Sequence, residues 1–451
     1  MTTGYPGVTS IFPGETLFFH ISTDAPQVRI DLYRQGARLE FQARSLWFPG
    51  RRSPDLTPWE DWSKSFAAQA FPIPARTPPG VYIAMFIEGD EDGNELKSQP
   101  IDRTIADGRE AKALFVVRNP SPGVGPALLC KLSLFTYCAY NGTGDPGGSL
   151  YTGPRRKVTL HRPGNGTGGT PWDADVVDFY DRASPRQTFA HWDEKLVRWL
   201  EGNGFSVDYA TDLDVHRNDG DFLSAYRLIL SVGHDEYWSA NEREHLESFV
   251  ARGGNLALFS GNTCWWRVTV EDDETAIAVD KTVRPGETVA PGHWFPARPE
   301  NAITGVSYRN AGGQWSGPRP SGGGFTVRRS QSWVFAGTGL VDGEIFGEKV
   351  AVVGYECDGA AFVLGPDGFL APTGEDGTPL DFIIVATASV AGWEGSEIGA
   401  LACATMGYHV KGGTVFTAAT TDWPRALEQG DPAVERITRN VLDRLLRPRV
   451  G

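Results

Sequence analysis

The chain has no uninterrupted apolar stretch of about eighteen residues, so it offers no candidate membrane-spanning helix. Its first ten residues, MTTGYPGVTS, lack the basic and apolar regions of a signal peptide, and the cytoplasm is the expected location. Cysteine is scarce. Cys130, Cys138, Cys264, Cys357 and Cys403 are scattered, odd in number and form no CxxC pair, which argues against a disulfide frame or a thiolate zinc site. HExxH and HxH patterns are absent, so conventional zinc hydrolysis has no support. Positive charge is in deficit: 42 Lys and Arg stand against 56 Asp and Glu, a formal net charge of −14. Such a surface repels phosphate backbones and anionic lipids, which argues against nucleic acid or membrane as partner. No internal repeat and no low-complexity segment is visible.

What is there points to a globular protein of more than one unit. The 451 residues exceed one ordinary domain, and 40% hydrophobic with 22% charged content is that of a packed chain. Fourteen Trp and 54 Gly suggest aromatic walls around clefts and many turns. Residues 1–118 read as all-β: ETLFFHIST, QVRIDLYRQG, GVYIAMFIEGD and AKALFVVRN are β-branched and aromatic, separated by Pro, Gly and Asp. An immunoglobulin-like sandwich is the expectation. RNPSPGVGPALL supplies a Pro/Gly boundary. Beyond it, in 119–451, HWDEKLVRWLEGNG and ANEREHLESFVARGG read as helices closed by glycine, and FSVDYATD, AYRLILSVG and NLALFSG as strands. Strand–helix–strand order implies an α/β domain with a mostly parallel sheet, interrupted at about 270–350 by a β-rich insertion. The glycine-rich stretch 140–175 is long enough to be a functional loop.

The chemistry gathers in SVGHDEYWS, residues 231–239, directly after Leu228, Ile229 and Leu230. Ligands of an open parallel sheet bind beyond the carboxyl ends of its strands. That places His234, Asp235, Glu236 and Tyr237 at one strand end, Asp212, Asp214 and His216 at a second, and Asn262 and Cys264 at a third. The structural alternative is that Asp235 or Ser239 caps the following helix, Glu236 favours its dipole, Tyr237 and Trp238 are core, and Asp212 and Asp214 are turn residues. No Ser or Cys occupies a nucleophile elbow; Cys264 is a reserve nucleophile, with a buried inert thiol as its alternative. GNGTGG at 164–169 lacks the Lys-Ser/Thr of a phosphate loop. An oxygen-rich site remains, suited to a hard Lewis acid such as ferric iron, which would polarise a carbonyl or acidify a bound water. Glu356, after the apolar run of VVGYECDG, supplies a further carboxylate, with an ion pair to arginine as the alternative.

GFSVDYATDLDVH, YRLILSVGHDEYWS, FVARGGNLALFSGNTCWWRV and GTVFTAATTDWPRAL with RITRNVLDRLL, preceded by TYCAYNGTGDPGGSLY, resemble the large (β) subunit of N,N-dimethylformamidase and its relatives. The resemblance runs over about 130–446. It implies an amidotransferase-like α/β domain behind a β-sandwich, and a mononuclear iron (Fe3+) held by two tyrosines and a glutamate. Tyr237 and Glu356 are the carried-over metal ligands, and Tyr209 and Tyr180 are candidates for the second tyrosine. The expected activity is hydrolysis of C–N bonds in small amides. His234, Asp235 and Glu236 are the catalytic candidates; Asn141, Asp212, Asp214, Asn262, Cys264, Trp265 and Trp266 are the pocket candidates. A small molecule is the expected partner, and a homo-oligomer a candidate state. A metal-free binding or scaffold protein and a thiol enzyme using Cys264 are the rival readings. On the first reading Tyr237 and Glu356 approach each other closely.

Overall fold

The structure, a computed structural model, describes residues 2–96, 111–145, 148–152, 156–164, 178–320, 322–396 and 401–447. All of GNGTGG except Gly164 therefore lies outside the described residues.

Two sheets form the N-terminal part. One orders Thr3–Pro6, Thr16–Ser22 and Ala67–Pro72; the other runs Ser10–Ile11, Lys112–Val117, Gly80–Gly89, Gln27–Gln35 and Leu39–Arg44, with Phe48–Pro49 also on Gln27–Gln35. The strand Gly80–Gly89 is apolar almost end to end because both its faces are covered. Tyr82, Ala84 and Phe86 join Leu17, Phe19, Ile30 and Phe115 in one cluster. Their alternate neighbours Ile83, Met85 and Ile87 join Leu128, Leu196, Leu200 and Tyr209 in another. Hydrophobic packing thus crosses residue 118 without a break.

The large sheet has nine strands among the described residues, in the order Val207–Thr211, Leu128–Leu132, Leu228–His234, Asn255–Gly261, Gly413–Thr417, Cys403–Lys411, Ile383–Ser389, Phe325–Val327 and Ile345–Phe346. The first five run parallel to one another, and every pairing from Gly413–Thr417 onward is antiparallel. The centre is the pair Leu228–His234 and Asn255–Gly261, in register from Leu228↔Asn255 to His234↔Gly261. Leu230 and Val232 face the helix Asp193–Gly202 through Leu196, Val197 and Leu200. Ile229 faces the helix Ala240–Ala251 through Leu246, Phe249 and Val250. Helices on both faces bury this strand completely, which is why LILSV alternates in no polar residue but Ser231.

The strands of 270–350 are shared among several sheets. Ala276–Ala278 sits between Lys157–Thr159 and Trp266–Glu271, and the latter pairs with Tyr237–Ser239. Ser307–Gly313 pairs antiparallel with Glu356–Gly359, setting Gly313 opposite Glu356. Among the described residues no helix is long and apolar enough to cross a membrane.

Candidate functional site

His234 ends the central strand, and the backbone must turn sharply before it. Gly233 lies at φ 63°, and a Cβ there would stand 2.3 Å from Cβ of Trp192, so only glycine fits. The next residues are clamped. Thr136 Oγ1 accepts from the Glu236 amide at 3.0 Å, and the Glu236 carbonyl accepts from the amides of Trp265 and Trp266, each at 2.9 Å. Ser239 then closes a capping box with Glu242 at the start of Ala240–Ala251. Ser239, not Asp235, caps this helix.

Four oxygens crowd the hydroxyl of Tyr151. That of Tyr237 donates to it at 2.7 Å, that of Tyr140 lies at 2.9 Å, and the two oxygens of Glu236 lie at 2.9 and 3.0 Å. Tyr151 is partly exposed, while its hydroxyl donates to Glu236. Lys281 reaches in from the next loop. Its Nζ donates to the Tyr237 hydroxyl and lies 3.3 Å from the Tyr151 ring centroid and 4.8 Å from that of Trp266. Burial raises all three phenols well above their ordinary value, with the Glu236 charge adding to it. Burial also raises Glu236 and pulls Lys281 down to about 7, against the attraction of Glu236 and Glu356.

A second group adjoins the first. Glu356 stands 2.7 Å from His234 Nε2 and accepts from Asn262 Nδ2 at 3.0 Å and from Trp315 Nε1 at 2.9 Å. Burial opposes its charge, yet His234 and these donors hold the carboxyl below its usual range. Glu236 lies 3.5 Å from the same Nε2, so the imidazole bridges the two carboxylates. Tyr237 and Glu356 are linked through this chain and not by a direct hydrogen bond. Trp265 packs edge-on against Tyr308, and Trp266 stacks on His293 at 3.9 Å, forming an aromatic wall.

The structure thus unites His234, Glu236, Tyr237, Asn262, Glu356 and Trp266. Other candidates are engaged elsewhere. Asp212 and Asp235 accept from the buried Lys131 Nζ at 2.5 and 2.8 Å, with Glu242 at 3.0 Å from it. Asp214 closes a capping box with Thr211 and binds Ser10 and Arg118. His216 contacts Ser239 Oγ at 2.7 Å, and Asn141 donates to the Pro163 carbonyl at 2.9 Å. Burial drives the Cys264 thiol well up, and the charges nearest it are Arg243, Glu300, Glu242 and Asp235, with no histidine among them. The Tyr209 hydroxyl donates to Glu201, and that of Tyr180 accepts from the Arg319 amide. Tyr140, Tyr151, Lys281 and Trp315 join the site without having been singled out. The first two do stand in TYCAYNGTGDPGGSLY, whose tyrosines were the available signal. A surface recess of about 690 Å³ between Trp59, Glu60, Lys64 and Asp272, away from this cluster, is lined by no His, Tyr or Cys.

Among the described residues no three His, Cys, Asp or Glu side chains form a metal nest. The phenols change that balance. Tyr140, Tyr151 and Glu236 put two phenolic oxygens and a carboxylate within hydrogen-bond reach, a hard-donor set of the kind ferric iron takes.

Residues 30–436 match the family profile described as N,N-dimethylformamidase beta subunit-like, C-terminal. Two curated relatives, the N,N-dimethylformamidase beta subunits of Paracoccus aminophilus and of an Alcaligenes species, are each 28% identical over 144 residues. That stretch covers 32% of this chain and only 17% of each relative.

Proposed function

We propose that this chain, which belongs to the N,N-dimethylformamidase beta subunit-like family, hydrolyses the C–N bond of small amides at the buried tyrosine–carboxylate cluster. The observation that carries the reading is the crowding of four oxygens within 3.0 Å of the Tyr151 hydroxyl. Three phenolic hydrogens cannot quench so many lone pairs, and such a cluster favours a cation. Tyr140, Tyr151 and Glu236 would hold ferric iron, with Tyr237 bonded to Tyr151. Glu356, saturated by His234, Asn262 and Trp315, suits proton handling better than ligation. When bound, the iron would supply a hard Lewis acid that polarises the amide carbonyl.

The chain's own residues do the rest. Trp265, Trp266 and Trp315 present apolar faces that limit water. Glu356 takes a proton from the attacking water and passes it on to His234, whose Nε2 lies 2.7 Å from the carboxylate. The water oxygen bonds to the carbonyl carbon, the C–N bond breaks, and the proton on Nε2 passes to the leaving amine. One carboxylic acid and one amine result.

Lys281 favours a second reading. Its ammonium already stands against Tyr237 and over Tyr151, as an internal counter-cation would in a metal-free binding protein. Iron analysis, visible absorption and hydrolysis of N,N-dimethylformamide and formamide separate the two. Iron-dependent colour with amine release supports the hydrolase. A colourless protein that takes up no iron and releases no amine leaves the binding reading.

A further inference from the structure

Gln187 stands where its residue type rarely does. Its backbone lies at φ 61°, in the left-handed region, and its side chain is wholly buried. Such a residue persists only where the surroundings over-determine it, and such places gather at functional sites. The surroundings here are rigid. Arg186 Nε donates to Asp178 at 2.8 Å and its Nη1 to the Trp315 carbonyl at 2.6 Å, and its guanidinium lies 4.4 Å from the Tyr355 ring centroid. Thr188 Oγ1 donates to the Pro185 carbonyl at 2.7 Å. Trp192 packs edge-on to the His234 ring, with centroids 5.6 Å apart.

What this fixed residue offers is one carboxamide between two partners. Its Oε1 lies 2.8 Å from His234 Nδ1, and its Nε2 donates to the Tyr355 hydroxyl at 3.0 Å. A carboxamide oxygen only accepts, so in this arrangement Nδ1 carries the hydrogen. The opposite nitrogen, Nε2, faces Glu356 at 2.7 Å and Glu236 at 3.5 Å.

We propose that Gln187 is the positioning residue of the site: it holds the hydrogen of His234 on Nδ1 and orients the ring so that Nε2 alone exchanges protons with Glu356 and the substrate. The kinetic consequence rests on the proposed amide hydrolysis; the tautomer rests on the geometry alone. The residue that orients a catalytic histidine sets which nitrogen is free to act, and the wrong tautomer is inert.

Gln187→Met keeps the length and removes both polar ends. With N,N-dimethylformamide as probe, its kcat should fall about 100-fold with KM within about threefold, the size of a lost acid–base contribution. Gln187→Glu keeps the acceptor and should retain kcat within about tenfold of wild type. In a His234→Ala background, Gln187→Met should change the residual rate by less than about twofold, because the two residues act as a unit. Gln187→Asn tolerates the left-handed backbone, falls short of Nδ1, and should behave like Gln187→Met if that variant folds poorly. Additive losses in the double mutant, or equal losses in the Met and Glu variants, overturn the proposal. The tautomer is read without turnover from the ring nitrogens of [15N]histidine-labelled protein, with His234→Ala assigning the resonances. In the neutral ring, recorded at a pH above the loss of the imidazolium signal, a hydrogen-bearing Nδ1 in wild type that moves to Nε2 in Gln187→Met is expected. An unchanged spectrum overturns the assignment. An inactive wild type showing the expected shift sinks the hydrolase reading and leaves the tautomer assignment standing.

Discussion

Tyr151 holds the cluster together, because its one hydroxyl touches every other oxygen group around it: Tyr140, Tyr237 and Glu236. On the proposed iron-dependent reading, Tyr151→Phe should weaken and shift the visible absorption of the iron-loaded protein and lower amide turnover by more than about 100-fold, since even hydrogen-bond partners of metal ligands cost roughly 10–100-fold. Iron content and the absorption spectrum of the variant check this; an undiminished colour would remove Tyr151 from the ligand set. Lys131 governs a different cluster. It is buried with Asp212, Asp235 and Glu242, three carboxylates to one ammonium. Burial raises Glu242 well above the usual carboxylate range and Asp212 to about 6, against the pull of Lys131. Lys131→Met would leave these groups without a cation, and a denaturant titration should show a loss of about 3–5 kcal/mol. A loss below about 1 kcal/mol would mean that the carboxyls are already protonated together and need no cation.

At the scale of the element, the site depends on the end of one strand. The strand Leu228–His234 is buried throughout, and its last turn carries His234 into the cluster only because Gly233 lets the chain pass Trp192. The added methyl of Gly233→Ala meets backbone-linked atoms at 2.3 Å and a φ of 63°, so neither the ring nor the strand can yield cheaply. The expected cost is about 1–3 kcal/mol of stability, from strain of this kind. On the proposed hydrolase reading it should come with a loss of amide turnover that lower temperature does not restore. Unfolding and activity measured at two temperatures test this; a variant with wild-type turnover would show that the His234 position tolerates a shift. The short strand Tyr237–Ser239 works with it. By pairing parallel to Trp266–Glu271 it turns Tyr237 toward Tyr151 while Ser239 starts a helix.

Across the whole molecule, the N-terminal sheets and the large sheet are tied by charge as well as by apolar contact. Arg34 pairs with Glu201 at 2.8 Å, and Ser10 and Arg118 hold Asp214 at 2.5 and 3.1 Å. Buried carboxyls set the pH response of the assembly. Burial raises Asp193 to about 8 and Asp358 to about 7. Both keep their protons in the folded state at pH values where the unfolded chain has lost them. Stability from these groups is therefore fully present below about pH 4, the unfolded carboxyl range, and is lost as pH rises through 7 and 8. The melting temperature should fall from pH 4 to pH 8, and Asp358→Asn, which cannot ionise, should flatten the part of that fall below about pH 7. An Asp358→Asn profile parallel to wild type would mean that this carboxyl titrates alike in both states.

The sequence by itself determined the local pieces. The apolar run Leu228–Leu230 followed by His234, Asp235, Glu236 and Tyr237 marks a strand that ends in chemistry, because periodicity and glycine joints are properties of neighbouring residues. The strands of the first 118 residues and the glycine-closed helices were legible for the same reason. Tertiary structure decided which polar groups meet. Glu236 and Glu356 both follow apolar runs, and nothing local tells them apart; packing brings Glu236 to the phenols and surrounds Glu356 with His234, Asn262 and Trp315. Asp212 and Asp235 stand at strand ends like their neighbours, yet they turn to Lys131, a lone charge in the apolar strand LLCKL that could be neutralised only by partners distant in sequence. Tyr140 ends the short helix Leu134–Tyr140, and Tyr151 and Lys281 enter the site from loops; neither kind of segment is long enough for periodicity to describe. A hydroxyl needs its partners within about 3 Å, and only the folded chain brings residues so far apart in sequence to that distance.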